Sequence, residues 1–385
     1  MKALERLDSH LETRLADLTK ARGQGRKIIG YTAGGYLPEE LILACDAIPI
    51  GFVQAGDSTA LTDAVPYICR WFDPFWRSQI GYVMSGRDPY YNIVDLIVAA
   101  MTDNHSRQFS TVVDYYLPER PFFMFGVPHH TKDESALAYY LCGLSRLKKS
   151  LEEFTGINIT DSRLKESIVL CNRERELFRE ISTLRKSKNS PATSKDVVAL
   201  HHGSFLADKE VMVEILESFV KEIKDGAPLS KDGPRILFTG STLANDDSKV
   251  MDIIEAFGGV VVREEFDEGI RPYSISVVPD GDLMSNLAQS YYMDRVCPGW
   301  FRPVNERLDF LVKLTKEYNV EGVIWYQLML RESYKIQSYF FPEILKKETG
   351  LNMLVLESDY NATETGAMKT RVETFIESVK EARNG

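Results

Sequence analysis

Leu4, Leu7, Leu11, Leu15 and Leu18 recur at spacings of three and four, the repeat that lays one apolar stripe along a helix. The stripe runs out before Gly23 and Gly25, where such a helix can end. The rhythm then changes. Lys27-Ile28-Ile29-Gly30-Tyr31 is a short, mostly apolar run that ends in Ala33-Gly34-Gly35, and Pro38-Glu39-Glu40-Leu41 places a proline in the first turn of a helix. Strand, glycine loop and helix are predicted there in that order. The alternation continues with strands expected at Ile48 to Val53, Ile93 to Ala100 and Pro121 to Val127, and helices around Phe75 to Met84 and Asn104 to Tyr116. Strands this continuously apolar suit a parallel sheet covered on both faces.

From about Asp133 to Ile223 the strand signals stop, and Met212, Ile215, Leu216, Phe219 and Ile223 share one helical face. Arg185 to Lys195 and Asp225 to Pro234 collect Gly, Pro, Ser and Lys, the composition of connections. Strand signals resume at Ile236 to Thr239, Gly259 to Val262, Gly322 to Tyr326 and Leu351 to Leu356. The expected fold class is α/β: two doubly wound, flavodoxin-like parallel-sheet domains with a helical connecting section. The expected boundaries are 1–132 for an N-terminal α/β domain with its leading helix, 133–233 for the helical section, and 234–385 for a C-terminal α/β domain.

The chain of 385 residues is long enough for two full cores. With 46 basic against 56 acidic residues its formal charge is −10, which gives no electrostatic footprint for a phosphate backbone and excludes nucleic acid as the expected partner. Glu5, Arg6, Asp8, Glu12 and Arg14 interrupt any signal-peptide core, and no apolar run reaches the 18 or so residues of a membrane helix. A cytoplasmic protein with no membrane partner is expected. Its five cysteines, Cys45, Cys69, Cys142, Cys171 and Cys297, show no CxxC spacing, which argues for reduced thiols over a disulfide framework or zinc ribbon.

No GxxxxGK[ST], GxGxxG or GxSxG motif occurs, so the usual phosphate cradles and the hydrolase elbow are missing. The pairs His129-His130 and His201-His202 are adjacent and cannot share a helical face as metal ligands. Attention therefore falls on loops after strands, where open parallel sheets bind ligands. Ala33 to Glu40 joins backbone-accessible glycines, Gly34 and Gly35, to two carboxylates, Glu39 and Glu40, able to act as acid or base; helix capping is the plainer reading of the same residues. Gly240-Ser241-Thr242 offers amides to an anion, and Gly269-Ile270-Arg271-Pro272 sets an arginine in a turn, where it could hold a carboxylate or phosphate. Substrate-binding expectations thus rest on Gly34, Gly35, Ser241 and Arg271, and catalytic ones on Glu39 and Glu40.

Taken in order, Ile29-Gly30-Tyr31 with Pro38-Glu39-Glu40-Leu41, Ala47-Ile48-Pro49, Pro234 to Ser241, Gly269-Ile270-Arg271, Cys297-Pro298, Gly322-Val323-Ile324 and Asp359-Tyr360 with Thr370-Arg371 resemble the family of 2-hydroxyacyl-CoA dehydratase and ATP-dependent benzoyl-CoA reductase subunits over roughly residues 25–380. The resemblance implies a 4Fe-4S cluster held by three cysteine thiolates, an ATP-dependent iron-sulfur activator that supplies single electrons, an acyl-CoA ligand and a homologous partner subunit. It also implies where the ligands belong. The first position, before Arg77-Ser78-Gln79-Ile80-Gly81, is Asp73; the second, after the strand ending near Ala100, is Thr102; the third, after the Gly-Val-Ile strand, is Arg331. None is cysteine, and soft thiolate donors are what such a cluster needs. Cys69, four residues before Asp73, is the one nearby substitute.

The expectation is therefore a subunit of a heteromeric dehydratase or reductase, a lyase or oxidoreductase system, that serves as scaffold or substrate-binding partner of a cluster-bearing subunit. Two alternatives remain at this level. One is a stand-alone protein that binds an acyl-CoA or another small ligand without redox chemistry. The other is a cluster enzyme with non-standard ligands drawn from Cys45, Cys69 and Cys297.

Overall fold

The computed structural model describes residues 1–129, 132–188, 190–227, 232–296 and 304–384. Helix α1, Lys2–Gly23, leads into a first α/β unit: β1 Ile28–Thr32, α2 Glu39–Ala44, β2 Ile48–Phe52, α3 Ser58–Asp63, α4 Pro74–Ser85, α5 Pro89–Ile93, β3 Leu96–Met101, α6 Asn104–Tyr116 and β4 Phe122–Gly126. Four helices follow: α7 Glu134–Thr155, α8 Asp161–Leu184, α9 Ser194–Ser204 and α10 Lys209–Asp225. The second unit holds β5 Arg235–Gly240, α11 Lys249–Ala256, β6 Val260–Glu265, α12 Leu283–Ala288 continued by a wide π turn Gln289–Met293, α13 Val304–Glu317, β7 Gly322–Leu328, α14 Glu332–Thr349, β8 Met353–Ser358 and α15 Thr365–Asn384.

Both sheets are wholly parallel and share one topology, β2-β1-β3-β4 in the first and β6-β5-β7-β8 in the second. The fold is thus the expected two-sheet α/β architecture, each sheet a four-strand version of the flavodoxin-like order. In this order the winding direction reverses between β1 and β3, and again between β5 and β7. Loops leaving the carboxyl ends of those strands diverge and open a crevice. The loops discussed below leave the carboxyl ends of these strands and of β6, and Asp73 joins them from the connection between α3 and α4.

Local chemistry explains most element ends. Asp73 caps α4 by accepting from the Trp76 amide, with Pro74 at the first helical position. Asp103 and Ser106 form a reciprocal capping box at α6. Gly86, Gly156 and Gly350 close α4, α7 and α14 in the left-handed conformation. Two strands depart from the sequence expectation. The run beginning at Ile93 does not start a strand there, because Asp88 caps the short helix α5 and holds Ile93 within it, so β3 begins at Leu96. Strand β6 continues past Val262 through Arg263, Glu264 and Glu265, since these charges find partners: Glu264 pairs with Arg185, Arg263 donates to Ser182, and Glu265 pairs with Arg307.

The helical section does more than connect. Its α8 packs on α2 and on α10, and α10 in turn lies against α1. Its chain also closes sheet margins. The Phe205 carbonyl accepts from the Gly51 amide of β2 at 2.8 Å, with the Phe205 ring where a Gly51 Cβ would stand. Arg185 donates to the Val261 carbonyl of β6 at 3.0 Å. Among the described residues no helix is long and apolar enough to cross a membrane.

Candidate functional site

The two crevices face each other, and the residues that the resemblance points to meet between them. Arg331 precedes α14, after Leu330, whose φ of 67° lies in the left-handed region that a branched side chain rarely enters. The arginine is buried. Its two terminal nitrogens grip Glu268 at 2.5 and 2.9 Å, and Nη1 also donates to Thr242 Oγ1 at 2.8 Å. Nη2 reaches Asp103 at 2.9 Å, and Nε lies 3.4 Å from Asp73 Oδ2. One guanidinium therefore ties four segments: the loop after β3, the cap of α4, the loop after β5 and the loop after β6. A planar fork with five donors can do this, where the point charge of a lysine could not.

Around it sits a surplus of buried acid. Asp73 Oδ1 is engaged at the α4 cap, and Oδ2 has no hydrogen bond. Burial pushes the Asp73 carboxyl up to about 6, against the opposing pull of Arg331. Asp267 bonds Arg295 at 3.0 Å and accepts from Tyr334 at 2.9 Å. Burial and its neighbour Glu268 nonetheless push it up to about 7. On the open side lies a cavity of about 270 Å³, lined by Thr102, Asp103, His105, His129, Arg331 and Glu332 among others. His105 spans the two units there, its Nε2 2.8 Å from the Leu330 carbonyl.

Asp73, Thr102 and Arg331 are thus neighbours in space although 229 positions separate Thr102 from Arg331 in the chain. Their donors do not fit a 4Fe-4S cluster. Iron in such clusters takes soft thiolates. Here the first position is a carboxylate in use as a helix cap, the second a threonine whose amide is held by Ser106, and the third a cation already neutralised by acids. Cys69 is exposed and donates to the Trp71 carbonyl at 3.7 Å. Cys45 is buried, bonded to the Ile42 carbonyl and pushed up to about 11 by burial. Cys297 and His130 lie outside the described residues. Among the described residues no group of three or more His, Cys, Asp or Glu side chains is arranged to hold a metal ion.

The residues expected to contact substrate form a second, separate network. Glu39 and Glu40 open α2 and are both buried. Glu39 pairs with Arg271 and with Lys209, each at 2.7 Å, and accepts from the Tyr31 hydroxyl. Burial alone would raise its carboxyl, but the Arg271 and Lys209 charges outweigh that and hold it down at about 2. Glu40 takes Arg175 at 2.7 Å and the Tyr291 hydroxyl at 2.7 Å. Lys209 also grips Glu174. These ions join α2, α8, α10 and the loop after β6, so each charged group is paired within the protein, and Glu39, Glu174, Arg175 and Arg271 border a cavity of only about 30 Å³. Arg271 lies over the Phe205 ring at 4.2 Å.

Gly34 and Gly35 sit beside this network. The Gly34 carbonyl accepts from Arg295 at 2.8 Å, and at Gly35, where φ is 65°, an added Cβ would lie 2.7 Å from the same guanidinium. Ser241 is buried at the β5 end, where its hydroxyl accepts from the Leu328 amide at 3.0 Å. A Cβ on the preceding Gly240 would fall 1.6 Å from the Tyr326 carbonyl. This close passage of β5 and β7 is why that loop needs glycine. Glu268, which completes the Arg331 centre, was not singled out by the sequence; the adjacent acids Asp267-Glu268 before Gly269 were the available signal.

Comparison with known proteins agrees with this architecture. The family model "2-hydroxyglutaryl-CoA dehydratase, D-component" matches residues 35–379. The chain is 26% identical over 347 residues to "Putative dehydratase subunit YjiM" of Escherichia coli strain K12, covering 89% of each chain. It is 21% identical over 360 residues to the (R)-phenyllactyl-CoA dehydratase beta subunit of Clostridium sporogenes, covering 92% of each. It is 25% identical over 327 residues to one of the subunits of benzoyl-CoA reductase from Thauera aromatica, covering 83% of each. A family match along nine-tenths of a chain with this doubled parallel topology leaves one conclusion: the protein belongs to the 2-hydroxyglutaryl-CoA dehydratase D-component family.

Proposed function

We propose that this chain is the cluster-free member of a heteromeric acyl-CoA dehydratase or reductase system, working beside a homologous subunit that carries the 4Fe-4S cluster. The observation that carries the reading is Arg331. Its guanidinium stands among Asp73, Asp103 and Glu268 at the crevice where the family resemblance expects three thiolates. A buried cation matched by buried acids is a finished structural centre. It has no open position for an iron ligand, and electrons from an ATP-dependent activator would pass to the partner.

What the chain itself contributes follows from its packing. The Glu39–Arg271–Lys209–Glu174 and Glu40–Arg175 ion pairs hold α2 to the helical section and to the loop after β6. Their carboxylates face cations of the protein itself, which supports positioning over proton transfer for Glu39 and Glu40. The cavity beside Arg331, about 270 Å³, falls just below the size of most ligand pockets, about 300–1,000 Å³. It has room for an acyl end of a thioester supplied from a shared cleft.

Iron and acid-labile sulfide per chain, measured on protein purified without oxygen and then offered iron and sulfide, test the reading. The wild type is expected to stay colourless. The variant D73C/T102C/R331C with E268Q, which supplies three thiolates and relieves the orphaned acid, is expected to turn brown and bind about four irons. About four irons on the wild-type chain would overturn the proposal.

A further inference from the structure

Arg263, on β6, is a buried cation with no carboxylate paired to it among the described residues; it is 7% exposed. Nη1 donates to Ser182 Oγ at 2.6 Å, its one hydrogen bond among those residues, and Nε is sealed from solvent with no acceptor. The guanidinium carbon lies 4.5 Å from the Tyr273 ring centre and 5.8 Å from that of Tyr318. Such ring faces offset part of the cost of taking a cation out of water. They give its in-plane N–H groups no acceptor.

The surrounding charges make this gap specific to one residue. Arg263 lines a cavity of about 50 Å³ with Glu264, Glu265, Arg271 and Arg295 among others. Each of those four has an opposite charge elsewhere: Glu264 takes Arg185 at 2.6 Å, Glu265 takes Arg307 at 2.8 Å, Arg271 takes Glu39 at 2.7 Å and Arg295 takes Asp267 at 3.0 Å. The wall is left with the unmatched charge of Arg263. Phe266 and Phe310 supply an apolar side. No described residue lines both this cavity and the one beside Arg331.

Geometry and size choose the anion. With Nη1 spent on Ser182, the edge left over is the one that Nε and Nη2 form, and two parallel N–H bonds on a planar guanidinium match the two oxygens of a carboxylate. At about 10–15 Å³ for each water-sized group, a cavity of about 50 Å³ holds roughly three to five of them, which is a carboxylate with a short apolar tail. The further oxygens of a phosphate would meet Phe266 and Phe310, which have no donors to offer. We propose that this cavity binds a small organic carboxylate, held side-on by Arg263 at a site separate from the Arg331 cavity. The loop after β6 lines it from Ile270 to Ser274 and also carries Glu268, which holds Arg331, and Arg271, which holds Glu39. Occupancy therefore ties down a loop that serves both ion networks.

The test compares melting of the full-length protein in sodium acetate and in sodium chloride at equal ionic strength, with line broadening of isotope-labelled acetate in NMR as the direct readout of binding. Wild type is expected to melt higher in acetate and to broaden the acetate signal saturably at millimolar concentration. Arg263→Lys keeps the charge and removes the fork, and is expected to bind acetate about tenfold or more weakly. Arg263→Met is expected to lose binding altogether. Where a variant does not fold, a wild-type crystal structure in acetate decides: planar density on the Nε and Nη2 edge supports the site, and an empty edge overturns it. Wild type that responds alike to acetate and chloride overturns the proposal, as does acetate binding that both variants retain. Inorganic phosphate bound more tightly than acetate overturns the choice of a carboxylate.

Discussion

Replacing Arg331 with methionine removes the charge and keeps most of the volume. Glu268 then loses both of its guanidinium bonds, Asp73 Oδ2 loses its cation, and Asp103 keeps only its capping bond. Breaking one side of a buried ion pair costs about 3–5 kcal/mol, against about 0–1 kcal/mol for an exposed pair. The expected loss for Arg331→Met is therefore about 3–5 kcal/mol at neutral pH. Its pH dependence follows from Asp73. With Arg331 present, burial already raises this carboxyl from 3.8 to about 6. A carboxyl raised on folding takes up a proton in the window between its unfolded and folded values, so it favours the native state as pH falls through that window and disfavours it as pH rises. Loss of the cation that pulls Asp73 down extends the window upward. The deficit of the variant is thus expected to be largest near pH 8 and to shrink towards pH 5. Urea unfolding followed by circular dichroism gives the quantity directly. A deficit under about 1 kcal/mol at pH 8, or one equal at both pH values, would refute the argument. The variant R331M/D73N/E268Q, which removes the orphaned charges together, is expected to recover most of the loss, a coupling that independent sites do not show.

Glu39→Gln tests the second network: a carboxyl held at about 2 instead of 4.5 contributes about 3 kcal/mol that is present above pH 4.5 and lost as pH falls towards 2. Melting of wild type and variant should differ clearly at pH 7, draw together below pH 4.5 and converge near pH 2, and parallel curves would contradict the pairing. Thiol labelling of the native protein is expected to modify the exposed Cys69 and Cys142 quickly and to spare Cys45 and Cys171, whose thiols burial pushes up. Mass mapping that finds Cys171 labelled without denaturant would show that α8 opens.

Periodicity carried the architecture because parallel strands are buried on both faces and long helices on one, and both habits leave local marks. The helix Asn104–Tyr116 and the strand start at Ile48 could be read directly for that reason. The end of β6 could not. Arg263-Glu264-Glu265 looks like a solvated turn, and only Arg185 and Arg307, 78 positions before Arg263 and 42 after Glu265, make it a strand. The site shows the same division. The loss of three thiolates is visible at single positions, whereas the replacement centre needs Asp73, Glu268 and Arg331 to meet from distant parts of the chain. Glu39 and Glu40 illustrate the limit from the other side. Two acids at a helix start satisfy the residue types for acid–base work, and it takes Arg175, Lys209 and Arg271, all more than 130 residues away, to show their engagement.

The bond from Gly51 to the Phe205 carbonyl and that from Arg185 to the Val261 carbonyl have a consequence for how the chain is made. Strands β2 and β6 each form one of the two outer margins of their sheets, β4 and β8 forming the others, and an uncovered outer strand is a template for pairing with another molecule. During synthesis the first sheet is complete by residue 126, yet the segment that seals its open margin arrives about 80 residues later. At roughly 5–20 residues per second that leaves several seconds of exposure. The β6 margin of the second sheet does not meet this hazard, because its seal at Arg185 is made before β6 leaves the ribosome. A fragment ending at β4 would keep its sheet and lose its guard, so aggregation is the natural fate of the first unit expressed alone.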